Sequence, residues 1–219
     1  MKKHVIIVAG GKGTRMGTEV PKQFLKIKGK PILLHTIEAF KNYDSSINVV
    51  LVLPKEQHFY WHEIEKEFFL PKDFCSIADG GSSRFESVKN GLSLIQGDGL
   101  IAVHDGVRPL VTTATIERCF SLAEIKGTAI PMIDLTDSIR RLKGDNSEAE
   151  VRSDFRLVQT PQVFQSGILR KAYNQDFNDK FTDDASVVES IGEKIYLCEG
   201  DINNIKITTP RDLKIAEVL

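Results

Sequence analysis

The sequence has 219 residues, 41% of them hydrophobic, and a formal net charge of −1 at pH 7. This composition supports a sizeable core and excludes a largely disordered chain. A net charge so near zero provides no global basic field, so neither a nucleic acid nor a membrane is expected as a partner. Three separated cysteines and no apolar run long enough to span a bilayer predict a cytoplasmic protein with reduced thiols, folded as a single domain over residues 1–219.

The chain begins with a β-branched run at residues 5–8, which predicts a buried strand. It leads directly into the glycine-rich segment AGGKGTRMG at residues 9–17, which is followed by PKQF at residues 21–24. Glycine lets a backbone approach a ligand closely. Lys12, Arg15 and Lys22 add positive charge to a loop whose own N–H groups can bind anions. The segment therefore predicts a phosphate-binding loop.

Strand and helix patterns alternate along most of the remaining chain. Helices are predicted at residues 31–40, 57–69, 85–95, 113–125, 166–175, 184–190 and 210–219, and strands at 48–53, 74–78, 99–103, 127–131, 157–159, 194–198 and 205–207. This alternation predicts an α/β fold with a mainly parallel sheet. Ligands of open α/β sheets bind beyond the carboxyl ends of the strands, where three polar, glycine-bearing loops are expected to lie.

Residues 133–155 differ from the rest because they are polar and offer little that could form a core. Two polar strands around a turn at residues 144–147 would make a hairpin. We therefore predict a projecting β-hairpin arm at about 133–155, with a surface loop as the alternative. Such an arm needs a partner to order it, so it also predicts a symmetric homodimer.

The spacing of the glycines decides which kind of phosphate loop this is. The Walker pattern G-x-x-x-x-G-K-[ST] is absent, and the dinucleotide fingerprint G-x-G-x-x-G fails because Gly17 follows Gly13 one residue late. A P-loop enzyme and a nicotinamide enzyme are both disfavoured by these mismatches. A retaining glycosyltransferase is disfavoured as well, because such a nucleotide-binding enzyme would be expected to carry Asp-x-Asp, which this sequence lacks.

The remaining pattern, A-G-G-x-G-x-R-M followed by P-K-Q, is similar to the signature of the sugar and alditol nucleotidyltransferases. Further motifs follow in order: DGGSSRFESV at residues 79–88, VHDGVRP at 103–109, QTPQ at 159–162 and NIKIT at 204–208. Together they resemble the 2-C-methyl-D-erythritol 4-phosphate cytidylyltransferases of non-mevalonate isoprenoid biosynthesis, over nearly the whole chain. The resemblance implies a Rossmann-like nucleotidyltransferase fold with a mainly parallel mixed sheet flanked by helices. It also implies transfer of CMP from CTP to 2-C-methyl-D-erythritol 4-phosphate, with Mg²⁺.

Carried over residue by residue, the resemblance implies two neighbouring binding sites. The CTP site would contain Ala9, Gly10, Gly11, Gly13, Arg15, Lys22, Gly81, Ser82, Ser87 and Asp105; the alditol phosphate site would contain Asp105, Gly106, Arg108, Ser138, Arg152, Thr160, Thr182 and Lys206. Arg15 and Lys22 would stabilise the transition state, and Arg152 and Lys206 would position the attacking phosphate. Ser138 and Arg152 would come from the partner's arm. Asp105 could support Mg²⁺, which CTP phosphates would mainly hold.

The chemistry implied by this resemblance agrees with the residue types present. A phosphate monoester has a second pKa of about 6, so its dianion can attack phosphorus at neutral pH without a general base. The reaction then needs positioning and charge neutralisation, which cations supply. The sequence departs from the family pattern at Ser82, where Asp is common, and at Ser138, where Thr is usual. The stretch at residues 131–138 is also about two residues longer than usual, and Val151 stands where Asp commonly precedes the arginine.

Some residues and functions have more than one interpretation. Arg84 could begin an exposed helix face or serve the site, and Asp183 is expected to cap a helix. His58 and His62 have the spacing of a metal pair but no third ligand, so an exposed helix face is expected. The alternative functions are a ribitol 5-phosphate cytidylyltransferase, through the same motifs, and a non-catalytic nucleotide-binding module. The presence of both Arg15 and Lys22 favours catalysis over binding alone.

Overall fold

The computed structural model describes residues 1–11 and 20–219. The predicted phosphate-loop residues Lys12, Gly13 and Arg15 lie outside these ranges. The strands are β1 (Lys3–Val8), β2 (Lys26–Ile27), β3 (Lys30–Pro31), β4 (Asn48–Leu53), β5 (Ser76–Asp79), β6 (Leu100–Asp105), β7 (Thr128–Asp134), β8 (Arg140–Lys143), β9 (Asn146–Ala149), β10 (Arg156–Val158), β11 (Gln162–Gln165) and β12 (Leu197–Glu199). The α-helices are α1 (Ile32–Tyr43), α2 (His58–Glu67), α3 (Arg84–Ser93), α4 (Thr113–Lys126), α5 (Ser166–Tyr173), α6 (Asp184–Glu189) and α7 (Pro210–Val218).

The described residues form a mixed, eight-stranded sheet in the order β10-β7-β11-β6-β1-β4-β5, with β12 paired to β7. Strands β5, β4, β1 and β6 are parallel to one another. Strand β11 runs antiparallel to β6 and β7, and β10 runs antiparallel to β7. The predicted mainly parallel sheet of an α/β protein is therefore confirmed.

Helices cover both faces of this sheet, which explains why its central strands are continuous apolar runs. Side chains alternate between the faces along β1. Ile7 packs in a cluster with Leu33 and Phe40 of α1, whereas its neighbour Ile6 packs in a second cluster with Val88 of α3. Ile6, Ile7 and Val88 are fully buried. The core thus lies in two layers, one on each side of the sheet.

The predicted arm is a hairpin in the structure. Strands β8 and β9 pair antiparallel from Arg140 with Ala149 to Lys143 with Asn146. The turn includes Gly144 at φ +58°, a backbone conformation that glycine adopts without steric cost. Every residue of β8 is exposed, so the hairpin does not contribute to the core of its own chain.

Several segments differ from the prediction, among them the unpredicted two-residue strands β2 and β3. The sequence predicts a strand at residues 205–207, but the structure places no strand there: a hydrogen bond from Ile207 N to Val107 O (2.9 Å) attaches them to the loop after β6. Strand β11, in contrast, is not predicted by the sequence. Its apolar run is only Val163 and Phe164, and pairing on both sides makes it a strand.

Candidate active site

The carboxyl ends of β1, β5 and β6 lie at one edge of the sheet. Parallel pairing of β1 with β6 aligns Val8 with Asp105. Backbone hydrogen bonds between neighbouring strands continue past the strand ends. Gly106 N donates to Val8 O (2.9 Å), and Gly80 N donates to Leu53 O at the end of β4 (2.7 Å). This register brings the three predicted polar loops together around one cleft.

The first cavity in this cleft has a volume of about 370 Å³. It is lined by Val8, Ala9, Gly10, Gly11, Lys22, Gln23, Gly81, Ser82, Ser83, Arg84, Ser87, Asp105, Val107 and Lys206. All the residues predicted for the CTP site line it, except Gly13 and Arg15, which lie outside the described ranges. The structure therefore brings the described members of that predicted set together.

The loop before α3 forms one wall of the first cavity, and hydrogen bonds that involve Ser83 and Ser87 hold it in place. Gly81 N donates to Ser87 Oγ (3.0 Å), and Ser87 Oγ donates to Ser83 O (2.9 Å). A Cβ on Gly81 would lie 2.3 Å from Glu86 Cβ, so no larger residue fits there without moving α3. Ser82 donates from both N and Oγ to Glu86 Oε2, each at 2.7 Å. Ser82 is thus held by the first turn of α3.

Lys22 and Gln23 form another part of the lining of the first cavity. Lys22 Nζ donates to Ile207 O (3.2 Å), which joins the N-terminal part of the cleft to the C-terminal segment. The buried Gln23 donates through Nε2 to Ala9 O (2.8 Å). The P-K-Q motif therefore holds the ammonium group of Lys22 at the first cavity and, through Gln23, the backbone just after β1. Sequence reasoning missed the contribution of Gln23, although the P-K-Q motif that contains it was the available signal.

A second cavity of about 320 Å³ adjoins the first. It is lined by Arg84, Asp105, Arg108, Val158, Gln159, Thr160, Gln162, Thr182, Asp183 and Lys206. Five residues of the predicted alditol phosphate site are among them: Asp105, Arg108, Thr160, Thr182 and Lys206. Arg84, Asp105 and Lys206 line both cavities. These three side chains, which we call the shared wall, are the boundary between the two cavities.

Asp105 is the anionic centre of the shared wall. Its Oδ2 lies 3.1 Å from Lys206 Nζ and 3.2 Å from Arg108 Nε. Burial alone would raise the pKa of Asp105, but the facing cations Lys206, Arg84 and Arg108 outweigh this and hold the pKa well below its ordinary value. The carboxylate is therefore ionised at neutral pH and orients the cations around it.

The segment that carries Lys206 is fixed by side chains from the QTPQ motif. Gln159 Nε2 donates to Asp201 O (2.8 Å), and Asn204 Nδ2 donates to Thr160 O (2.8 Å). Arg108 Nη1 donates to Asn204 O (2.7 Å). Asn204 is completely buried, so this segment is anchored although it is not a strand. Hydrogen bonds thus join the QTPQ motif to the NIKIT motif.

Arg84 is part of the site and not an exposed helix face. Its two terminal nitrogens donate to the two carboxylate oxygens of Asp184 at 2.8 and 2.6 Å. Asp184 is fully buried and also accepts from Tyr173 Oη (2.7 Å). Burial opposes the charged guanidinium, but Asp184 more than compensates and raises the pKa of Arg84. Asp183 caps α6 as expected, with its side chain accepting from Ser186 N.

Three residues of the predicted site lie elsewhere. Gly106 lines neither cavity: a Cβ there would lie 2.8 Å from Ala9 Cβ, so its role is close packing under the first cavity. Ser138 and Arg152 are exposed on the arm segment and also line neither cavity of their own chain. His58 contacts Leu53 O and lies 3.4 Å from Asp79 Oδ1, whereas His62 contacts Glu65, so the two rings have separate partners.

The described residues offer a metal ion few ligands of their own. Within residues 1–11 and 20–219, no group of three Asp, Glu, His or Cys side chains could hold an ion. The ionised Asp105 is one carboxylate beside a cationic cleft. This donor set fits Mg²⁺, which commonly binds through one or two carboxylates together with substrate phosphates.

A mixed, mainly parallel α/β sheet whose strand ends carry two adjoining cavities with a shared wall is the arrangement expected of a nucleotidyltransferase. A family model described as 2-C-methyl-D-erythritol 4-phosphate cytidylyltransferase matches residues 3–219. The chain therefore belongs to the family of 2-C-methyl-D-erythritol 4-phosphate cytidylyltransferases, which transfer CMP from CTP to this alditol phosphate in isoprenoid biosynthesis. The predicted family and activity are confirmed.

Relatives and solved structures agree with this assignment. The chain is 52% identical over 219 residues to the 2-C-methyl-D-erythritol 4-phosphate cytidylyltransferase of Bacteroides thetaiotaomicron, covering all of both chains. It is 53% identical over 221 residues to that of Phocaeicola vulgatus, again covering all of both. The crystal structure of the Thermus thermophilus enzyme superimposes with a TM-score of 0.79 at 30% identity, covering 100% of this chain and 98% of that one.

None of the helices in the described ranges combines the length and the apolar character that crossing a membrane requires.

Proposed function

We propose that the first cavity binds CTP, that the second cavity binds the alditol phosphate, and that the shared wall holds the reacting phosphates between them. The carrying observation is that Arg84, Asp105 and Lys206 line both cavities. Two ligands that meet at one layer of side chains can bring their phosphates into contact, as an in-line displacement requires.

In this arrangement an oxygen of the alditol phosphate attacks the α-phosphorus of CTP. The new P–O bond forms as the bond to the β-phosphate oxygen breaks, and pyrophosphate leaves. Both substrates are anionic, so Lys206 and Arg84 reduce their mutual repulsion, and Lys22 faces the nucleotide from the other side of the first cavity. Lys22 is proposed to stabilise the transition state, and Lys206 to position the attacking phosphate. We assign Arg15 the same role as Lys22, although it lies outside the described residues.

Mg²⁺ is part of the proposal. Asp105 and the CTP phosphates would hold it, and when bound it would neutralise charge on the nucleotide. A cytoplasmic location is also proposed, and it is supported by the three cysteines, which form no disulfide in the described residues.

We further propose that the enzyme is a homodimer in which each arm completes the partner's site. Ser138 and Arg152 are exposed and away from the cavities of their own chain, and Leu142 on the arm is 80% exposed. A second copy of the chain would cover this apolar side chain and place Arg152 near the attacking phosphate. An exposed leucine on a hairpin without a core of its own supports a partner.

Separate substitutions in the two cavities test their assignment. Ser87→Ala lies only in the first cavity and should raise the dissociation constant for CTP, measured by calorimetry without the alditol. Thr182→Val lies only in the second and should raise KM for methylerythritol phosphate with CTP affinity unchanged. Lys206→Met lies in the shared wall and should lower kcat in the pyrophosphate-release assay. An exchange of the first two effects would contradict the assignment.

Mixed dimers test the role of the arm. Arg152→Ala and Lys206→Met should each be nearly inactive alone. A heterodimer of the two has one site with both residues intact, so a random mixture should recover about a quarter of wild-type activity if the arm serves the partner. No recovery after demonstrated subunit exchange would place Arg152 in its own chain's site.

A further inference from the structure

His104 lies beside the second cavity but lines neither cavity. It is the residue before Asp105 in β6, it is 0% exposed, and its ring packs edge-on against Phe40 with centroids 5.0 Å apart. Both ring nitrogens have partners. Nε2 lies 3.2 Å from Arg108 O, and Nδ1 lies 3.0 Å from Thr160 Oγ1. The ring therefore connects two residues of the second cavity.

These two contacts determine which nitrogen carries the proton. A carbonyl oxygen only accepts, so His104 Nε2 must be the donor to Arg108 O. Asp105 N donates to Thr160 Oγ1, and among the described residues His104 Nδ1 is the one acceptor within reach of the Thr160 hydroxyl proton. The contacts are therefore satisfied together when Nε2 carries the ring proton, Nδ1 accepts, and the Thr160 hydroxyl donates to it.

The direction of this bond limits what Thr160 can offer a ligand. A hydroxyl has one proton and two lone pairs. The proton of Thr160 is directed to His104, and one lone pair accepts from Asp105 N (3.1 Å). The remaining lone pair can accept a hydrogen bond but cannot donate one. A phosphate oxygen has no proton to give in the dianion, whereas an alditol hydroxyl does.

We propose that His104 is a positioning residue that fixes Thr160 as an acceptor for a hydroxyl of the alditol. The second cavity would then bind the polyol portion at Thr160 and the phosphate at the cations of the shared wall, so that the substrate enters in one orientation. This inference rests on the proposed assignment of the second cavity to the alditol phosphate.

Two substitutions of His104 separate its two hydrogen bonds. In His104→Asn the side-chain oxygen reaches the place of Nδ1 and can still accept from Thr160. In His104→Gln the amide nitrogen reaches the place of Nε2 and can still donate to Arg108 O, but no acceptor remains for Thr160. His104→Gln should raise KM for methylerythritol phosphate about tenfold, the equivalent of one hydrogen bond, and His104→Asn should change it less than about twofold.

Affinity for CTP, measured by calorimetry without the alditol, should be unchanged in both variants. Equal increases in KM for the two variants, or a parallel loss of CTP affinity, would show that His104 has only a structural role and would overturn the proposal.

A measurement on the unaltered enzyme covers the case in which either variant fails to fold. Nitrogen NMR of protein labelled with ¹⁵N-histidine should show His104 at pH 7 as a neutral ring protonated on Nε2. Its signal is assigned by substituting the other histidines, His4, His35, His58 and His62, one at a time. A proton on Nδ1 would overturn the proposal. The NMR result does not depend on activity. A wrong assignment of the two cavities would instead appear in the measurements on Ser87→Ala and Thr182→Val, so the two failures can be told apart.

Discussion

Lys22 is the residue through which the two ends of the chain meet at the cleft. Its ammonium group lines the first cavity and donates to the carbonyl of Ile207. A lysine held in this way can stay in place while charge develops on a substrate. Preorganised charges of this kind lower barriers because they need no reorientation during the reaction.

Replacing Lys22 with Met should therefore affect turnover more than binding. We expect kcat to fall by roughly a hundredfold or more, as for loss of one preorganised donor, and the CTP dissociation constant to rise only a few-fold. Steady-state pyrophosphate release and calorimetry measure the two. Lys26→Met is the matched control, because Lys26 pairs with Glu67 away from both cavities. Equal losses of affinity and turnover would reassign Lys22 to binding alone.

At the residue scale, sequence reasoning succeeded where a motif has a fixed chemical purpose. Asp105, Arg108 and Lys206 were predicted and do meet at the second cavity. Arg84 could not be decided from sequence because its partner, Asp184, is 100 residues away. A periodic pattern places Arg84 at the start of a helix but says nothing about a distant carboxylate. The proton on His104 depends likewise on Thr160, which is 56 residues away.

Among the helices, α3 and α6 are linked by the Arg84–Asp184 pair at their N-terminal ends. Asp184→Asn should lower the free energy of unfolding by about 2 kcal/mol, since it leaves the Arg84 guanidinium without its counter-charge. The cost is smaller than for a fully buried pair because the Arg84 side chain is 32% exposed. KM should rise for both substrates because Arg84 lines both cavities. Chemical denaturation and steady-state kinetics measure these effects. The exposed Asp176→Asn is the control, and a variant as stable as that control would contradict the prediction.

Helix α7 begins with a capping box that is sensitive to pH. Asp212 Oδ2 accepts from Thr208 N and Thr209 N, each at 2.8 Å. Burial would raise the pKa of Asp212, but these hydrogen bonds lower it below its ordinary value. A lowered carboxyl pKa means that the stabilisation is fully present above about pH 4 and is lost as the pH falls through the folded-state pKa.

Asp212→Ala should therefore cost about 1 kcal/mol of unfolding free energy at pH 7, the value typical of a helix cap, and less as the medium is acidified below pH 4. Denaturation curves of wild type and variant at both pH values measure the difference. Glu217→Ala, on an exposed side of the same helix, is the control. A difference that persists undiminished in acid would show that Asp212 acts through packing.

At the scale of elements, periodicity predicted the long helices and the apolar central strands, because burial on both faces leaves a strong pattern. It was wrong about residues 205–207 because two β-branched isoleucines on either side of Lys206 suit an anchored loop as well as a strand. It did not find β11, since two apolar residues make no pattern without their neighbours in the sheet. The polar hairpin was found because its composition differs from every other segment.

For the whole molecule, the prediction concerns assembly. Replacing residues 135–150, which include β8 and β9, with a short Gly-Ser linker should convert a dimer to a monomer in sedimentation equilibrium. The catalytic activity should fall with it, since Arg152 would no longer reach a partner. Leu142→Ser, which removes only the most exposed apolar side chain of the hairpin, should weaken the dimer without removing Arg152. A truncated protein that remains dimeric would place the interface elsewhere.

The shared wall has a consequence for how such enzymes diverge. Ser87 and Gly81 border only the first cavity, and Thr160 and Thr182 border only the second, whereas a change at Arg84, Asp105 or Lys206 alters both at once. With the second cavity binding the alditol as proposed, substitutions there should change the polyol accepted while the nucleotide stays the same. Selection for a new acceptor should then keep Arg84, Asp105 and Lys206 and change residues that line only the second cavity. The specificity for the acceptor and the specificity for the nucleotide could therefore evolve independently.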